Sequence, residues 1–120
     1  MRRVLIVDDD PDIREIAITG FEIEGGWETA EASSGLEGVE LARRNPPDVI
    51  LLDVMMPEMD GPTTAAMLQA DARTHHVPII FLSAKVHLTD RPRGVCAFIT
   101  KPFDPLQLPG SVAEILSSLD

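Results

Sequence analysis

Asp8, Asp9, Asp53, Ser83 and Lys101 are the side chains in this sequence whose types could do chemistry together: three carboxylates, a hydroxyl and an ammonium. Each closely follows a short apolar run, at residues 4–7, 49–52, 77–82 and 95–99. Runs this short and this rich in β-branched residues read as strands buried on both faces, and a parallel α/β sheet binds its ligands beyond the carboxyl ends of its strands. The five residues would then share one edge of a sheet. Gathered carboxylates repel, by roughly 1 kcal/mol for a pair about 4 Å apart in water and about 4 kcal/mol at an effective dielectric near 20. Lys101 supplies one relieving charge, and a hard divalent cation with oxygen ligands, magnesium, would supply the rest. Magnesium held by carboxylates characteristically bridges phosphoryl oxygens, so the set points to phosphate chemistry, with Asp53, central among the candidates, as the nucleophile.

Taken singly, each residue has a plainer role. An Asp after a strand is commonly a helix cap or a solvated loop residue, and Asp10 and Asp12 are assigned there; Ser83 alone would be a turn hydroxyl and Lys101 a surface cation. The case lies in their joint occurrence at four strand ends. Asp8, Asp10 and Asp12 also imitate the start of a calcium-binding loop, but Ile13 stands where that loop needs glycine and Thr19 where it needs Glu. An aspartyl phosphatase with alternating Asp residues would need a cap and a fuller sheet than 120 residues provide.

The elements that must position these residues alternate along the chain. Trp27–Ala32 reads as an edge strand, the fifth of the set. A first helix carries Ile13, Ile16, Ala17, Gly20 and Phe21, capped by Asp10, with Pro11 at its first position and Gly25-Gly26 as its stop. Leu36, Val39, Glu40 and Ala42 mark a second, closed by Asn45-Pro46-Pro47. A third spans about residues 62–72 with Ala65, Met67 and Leu68 inward, and the last places Val112, Ile115, Leu116 and Leu119 on one stripe, regular only from about Pro109 after a loose turn at Pro105. Strands alternating with helices imply a parallel sheet covered on both faces by right-handed crossovers.

With 44% hydrophobic and 25% charged residues, the composition is that of a folded protein, and one domain across residues 1–120 is expected. The formal charge of -10 repels phosphate backbones and anionic head groups, which argues against direct nucleic-acid or membrane binding. Met1-Arg2-Arg3 mimics the start of an export signal, but the apolar run ends after four residues in Asp8-Asp9-Asp10, so no such signal is expected. Cys96, the one cysteine, lies in an apolar run, reads as a buried small residue and fits a reducing cytoplasm.

Five segments together resemble the receiver domains of two-component response regulators, the chemotaxis receivers among them: Val4-Leu5-Ile6-Val7-Asp8-Asp9-Asp10, Leu51-Leu52-Asp53-Val54-Met55-Met56-Pro57, Met59-Asp60-Gly61, Phe81-Leu82-Ser83-Ala84-Lys85 and Thr100-Lys101-Pro102-Phe103. The resemblance covers essentially the whole chain. It implies a flavodoxin-like, doubly wound (βα)5 domain with a five-stranded parallel sheet of order 2-1-3-4-5. It also implies a phosphoacceptor switch rather than an enzyme acting on other substrates, promoting only its own aspartyl phosphorylation and dephosphorylation. Asp53 becomes the phosphoryl acceptor. Asp9 becomes a direct ligand of Mg2+, with Mn2+ able to replace it, Asp8 holds the metal partly through water, and Met55 contributes its backbone carbonyl. Ser83 is the hydroxyl that moves to the phosphoryl group, Lys101 the lysine that pairs with it, Pro102 the site of a cis peptide, and Phe98 the aromatic whose rotamer accompanies the switch. Met55 and Lys85 occupy places that tune phosphoryl lifetime. The donor is a histidine kinase or a histidine phosphotransfer protein, since His75, His76 and His87 read as surface residues, and the downstream partner is an unspecified protein.

One departure from the family pattern stands out. Ser83 and Lys101 are 18 positions apart, several fewer than is usual, and the loss falls on the fourth helix, which residues 86–93 would have to hold. The surface around the fifth strand and the fourth and fifth helices ordinarily reports phosphorylation, so its usual form is in question. The competing reading is a phosphorylation-independent interaction module of the same fold; the complete acidic set argues against it. A chain cut from a longer regulator stays open.

Overall fold

The computed structural model describes residues 2–84 and 92–119. Lys85, His87 and most of the segment expected to carry a shortened fourth helix therefore lie outside the described residues. Within them the order is β1 (Arg2–Val7), α1 (Pro11–Glu24), β2 (Trp27–Ala32), α2 (Gly35–Arg44), β3 (Val49–Asp53), α3 (Gly61–Ala70), β4 (Ile79–Ser83), β5 (Val95–Thr100) and α4 (Leu108–Ser117). The five strands form one sheet of order β2-β1-β3-β4-β5, with every pairing parallel. The parallel sheet that the alternation implies, and the 2-1-3-4-5 order that the resemblance implies, are both observed.

Because successive strand residues point to opposite faces, the sheet divides its apolar side chains into two layers. Val4, Ile6, Val49, Leu51, Ile80 and Leu82 pack with Ala17 and Phe21 of α1 and Leu108 and Val112 of α4. Leu5, Val7, Ile50, Leu52, Ile79 and Phe81 pack on the other face with Val39 and Ala42 of α2 and Ala65 and Leu68 of α3. β3 is buried along its whole length, as a central strand sandwiched between helices must be. Each fully buried aliphatic or Phe side chain contributes about 1.5–3 kcal/mol relative to exposure, so these layers set the position of the strand ends.

Local signals end the helices where the sequence places them. Asp10 caps α1 through the Asp12 amide, with Pro11 just inside, and Gly25 and Gly26 leave it at φ of 78° and 82°, a left-handed region that glycine enters without the Cβ penalty. Ser34 caps α2 through the Glu37 amide. α4 begins at Leu108 with Pro109 in its first turn, after a turn over residues 105–107.

Four burial expectations are corrected. Ile16 and Leu36 are exposed, because the sheet covers each helix on one side and these residues stand outside that contact. Leu119 is exposed because it lies beyond the last turn of α4. Cys96 is half-buried rather than buried: β5 is an edge strand, and its register with β4 shifts between Ile79 and Ile80, so Ile80 pairs with Ala97 and Cys96 sits at the irregularity.

Candidate functional site

The strand ends deliver four of the five candidate side chains into one cleft directly and the fifth by one further residue. Asp8 follows β1 with its amide bonded to the carbonyl of Ala32 at 3.1 Å, which extends the β1–β2 ladder by one rung. Asp53 is the last residue of β3 and Ser83 the last of β4. Lys101 follows β5, its amide donating to the Ser83 carbonyl at 2.8 Å, and the Lys101–Pro102 peptide is cis. Asp8, Asp9, Asp10, Asp53, Val54, Met55, Ser83, Ala84 and Lys101 line a cleft of about 450 Å³.

Burial within the cleft is uneven. Asp8 is 0% exposed, Asp53 6% and Ser83 8%, whereas Asp9 is open to solvent. The Lys101 ammonium lies between the two buried carboxylates, 2.8 Å from Oδ2 of Asp8 and 3.0 Å from Oδ1 of Asp53. Oδ1 of Asp8 also accepts from the Asp10 amide at 2.9 Å, and Oδ1 of Asp53 from the Met55 amide at 3.4 Å. The Lys101 ammonium and the Met55 amide thus meet the same oxygen of Asp53. Burial pushes the Asp53 carboxyl up to about 6; the Lys101 hydrogen bond opposes this, and the neighbouring charge of Asp8 adds to it. Burial works against the Lys101 charge too, but hydrogen bonds from that ammonium to Asp8 and Asp53 outweigh it and hold the group above its ordinary value.

The donor set fits a hard divalent cation. One carboxylate oxygen from each of Asp8, Asp9 and Asp53 lies within 4.8 Å of the others. Three ionised carboxylates against one ammonium leave a formal excess of two negative charges, which one divalent ion balances. Oxygen donors of this kind, with an open side for water, suit Mg2+ better than the nitrogen and sulfur sets of transition metals.

Residues beyond the five candidates fix the backbone around this cleft. Gly61, the first residue of α3, packs so closely on the end of β3 that a Cβ there would stand 2.6 Å from the Asp53 carbonyl oxygen, and its amide bonds Val54 at 2.8 Å. Asp60 caps α3 through the Thr63 amide, and Thr64 returns a hydroxyl bond to the Asp60 carbonyl at 2.8 Å. Arg14 donates to the Asp8 carbonyl at 2.8 Å. Only the Met59-Asp60-Gly61 motif carried a signal in the sequence; Arg14 looked like any charged residue of a helix.

The remaining candidates lie around or beyond the cleft. Met55 is 83% exposed at the mouth of the cleft. Phe98 is half-buried on β5, its ring edge-on to Phe81 with centroids 5.7 Å apart. His75 and His76 are exposed, as expected.

A five-stranded doubly wound sheet with carboxylates and a lysine at its carboxyl edge defines a receiver-type signalling domain. The response regulator receiver domain family matches residues 4–113, and the chain belongs to that family. It is 35% identical, over all of its length and 51% of the relative's, to the DNA-binding dual master transcriptional regulator RpaA of Synechocystis. The chain spans about half the length of the curated transcriptional regulators it matches. Among solved structures, the chemotaxis protein CheY4 of Vibrio cholerae superposes with a TM-score of 0.87 at 27% identity, covering 96% of this chain and 98% of that one. The receiver domain of the sensor histidine kinase PA1611 of Pseudomonas aeruginosa gives a TM-score of 0.85 at 25% identity, covering 97% and 98%, and carries a magnesium ion in its active-site cleft. Among the described residues no helix is long and apolar enough to cross a membrane.

Proposed function

We propose that residues 1–120 act as one phosphoacceptor switch of a two-component system in the cytoplasm, taking a phosphoryl group onto Asp53 from the phosphohistidine of a histidine kinase or phosphotransfer protein. The observation that carries this reading is the Lys101 ammonium held between Asp8 and Asp53, with Asp9 completing a triad of oxygen donors. Asp53 attacks phosphorus through a carboxylate oxygen, the phosphorus–nitrogen bond breaks, and the imidazole leaves; hydrolysis later returns the carboxylate and inorganic phosphate. Asp8, Asp9, Asp53 and the Met55 carbonyl would hold Mg2+, or Mn2+ in its place, which supplies positive charge to the phosphoryl oxygens. Asp8 holds Lys101 at the mouth of the acceptor, and Lys101 pairs with the new charge. Ser83, on the adjacent strand end, donates its hydroxyl to a phosphoryl oxygen.

The phosphoryl group adds negative charge and three acceptor oxygens in a pocket already arranged for them. Turning a 1:99 population into 99:1 takes about 5.5 kcal/mol of differential interaction, and hydrogen bonds to charged groups at roughly 1.5–3 kcal/mol each are of that scale. Motion of Ser83 communicates to β5, where half-buried Phe98 changes rotamer, and a downstream protein reads the changed surface around that strand. Met55, at the mouth of the cleft, and Lys85 tune how fast water reaches the phosphoryl group. Incubation with Mg2+ and acetyl phosphate, followed by intact-mass measurement, tests the reading. One added phosphoryl group, absent from Asp53→Asn, is expected; no added mass, or mass that persists in Asp53→Asn, refutes it.

A further inference from the structure

The two carboxylates at the end of β1 are held very differently. Asp8 has its amide on Ala32, one carboxylate oxygen on Lys101 and the other on the Asp10 amide. Asp9, next along the chain and exposed, has no hydrogen bond to its side chain among the described residues, so its place is inherited from the backbone on either side. After Asp10 that backbone enters α1. Before it, the fixed point is the Asp8 carbonyl, which leaves the strand ladder and is met by Nη1 of Arg14 at 2.8 Å, reaching back six residues from the first turn of α1.

The same guanidinium is anchored from the other side. Its Nε lies 2.7 Å from Oε1 of Glu31 on β2, so one rigid planar fork joins the end of β1, the start of α1 and the neighbouring strand. An ammonium in that position could meet the carbonyl or the carboxylate, but not both with fixed geometry. We propose that Arg14, steered by Glu31, is a positioning residue that sets where the Asp8–Asp9 peptide places its carboxylates toward the metal; this rests on the reading of Asp8 and Asp9 as magnesium ligands. A group that orients a ligand without touching the metal changes affinity far more than it changes the fold.

Calorimetric titration of the protein with MgCl2, in the absence of any phosphodonor, tests this beside a thermal melt. Arg14→Ala is expected to weaken Mg2+ binding about tenfold, and Glu31→Gln and Arg14→Lys each about threefold. The double variant Arg14→Ala with Glu31→Gln binds no more weakly than Arg14→Ala, because Glu31 acts through the guanidinium. A lowered melting temperature with an unchanged Mg2+ midpoint in all three single variants overturns the proposal and leaves the metal site standing. Absence of Mg2+ binding by the wild type overturns the metal site, and the role of Arg14 with it.

Discussion

Asp53 and Asp71 both lie against cationic side chains, yet their carboxyl groups shift in opposite directions. Asp53 has Lys101 at 3.0 Å and is pushed up to about 6; Asp71 has Arg73 at 2.9 Å and Arg43 at 2.7 Å and is held well below the usual carboxylate range. At Asp71, hydrogen bonds from the Arg73 side chain and amide act at the surface, where losing water costs little, and two cations serve one carboxylate. At Asp53, burial and the charge of Asp8 oppose a single ammonium shared by two carboxylates. The hydrogen bonds to Asp71 come from Arg73, while Arg43 of α2, 2.7 Å away, adds charge without a hydrogen bond and ties α2 to the end of α3. The buried arrangement stays short of positive charge, which suits the proposed uptake of a cation and then a phosphoryl group.

Lys101→Ala breaks the buried arrangement most severely. Removing the shared cation leaves two facing carboxylates, and denaturant unfolding in EDTA at pH 8 is expected to show a loss of about 3 kcal/mol that narrows toward pH 5 and is partly restored by millimolar Mg2+. A loss that is the same at pH 5 and pH 8 would contradict the electrostatic account. Asp53→Asn sharpens it from the other side. The folded pKa of Asp53 is above its unfolded value of 3.8, so its contribution to stability is fully present below about pH 4 and lost as pH rises through about 6. Without metal, Asp53→Asn should therefore exceed the wild type by about 1–2 kcal/mol at pH 7.5, a figure discounted for the open side of the cleft, and the gain should vanish near pH 4.

The smallest effect belongs to Asp71→Asn. Its depressed pKa means that its contribution is present above the unfolded value and fades only as acid protonates it, so the variant should lower the melting temperature slightly at pH 7. Salt of about 0.5 M, where the Debye length is only a few Å, should erase most of that drop. A drop that survives the salt would place Asp71 with the buried carboxylates.

The Asp53 side of this contrast is legible in the sequence and the Asp71 side is not. Asp8, Asp53 and Ser83 were readable because each ends an apolar run, and a parallel sheet brings such ends together whatever the connecting helices contain. The caps at Asp10 and Ser34 and the Gly25-Gly26 stop are local and obey local rules, although only Asp10 and the glycines were picked out. Asp71, Arg43 and Arg73 gave no signal, since residues 28 positions apart meet only when α2 and α3 lie side by side. The exposure of Ile16, Leu36 and Leu119 was likewise hidden, because periodicity marks a helix face but not how far the sheet extends beneath it.

The sequence by itself determined the kinds of group at the cleft and the strand ends that carry them, because side-chain alternation and the turn residues that stop each strand are properties of short segments. How the elements pack decides that Lys101 divides its ammonium between Asp8 and Asp53, that Gly61 lies against the backbone of Asp53, and that Arg14, itself bonded to Glu31, holds the Asp8 carbonyl. Those relations join residues from different strands and helices, and packing of the two apolar layers sets their distances. Chemistry was written in the segments; its geometry came from how the sheet stacks them.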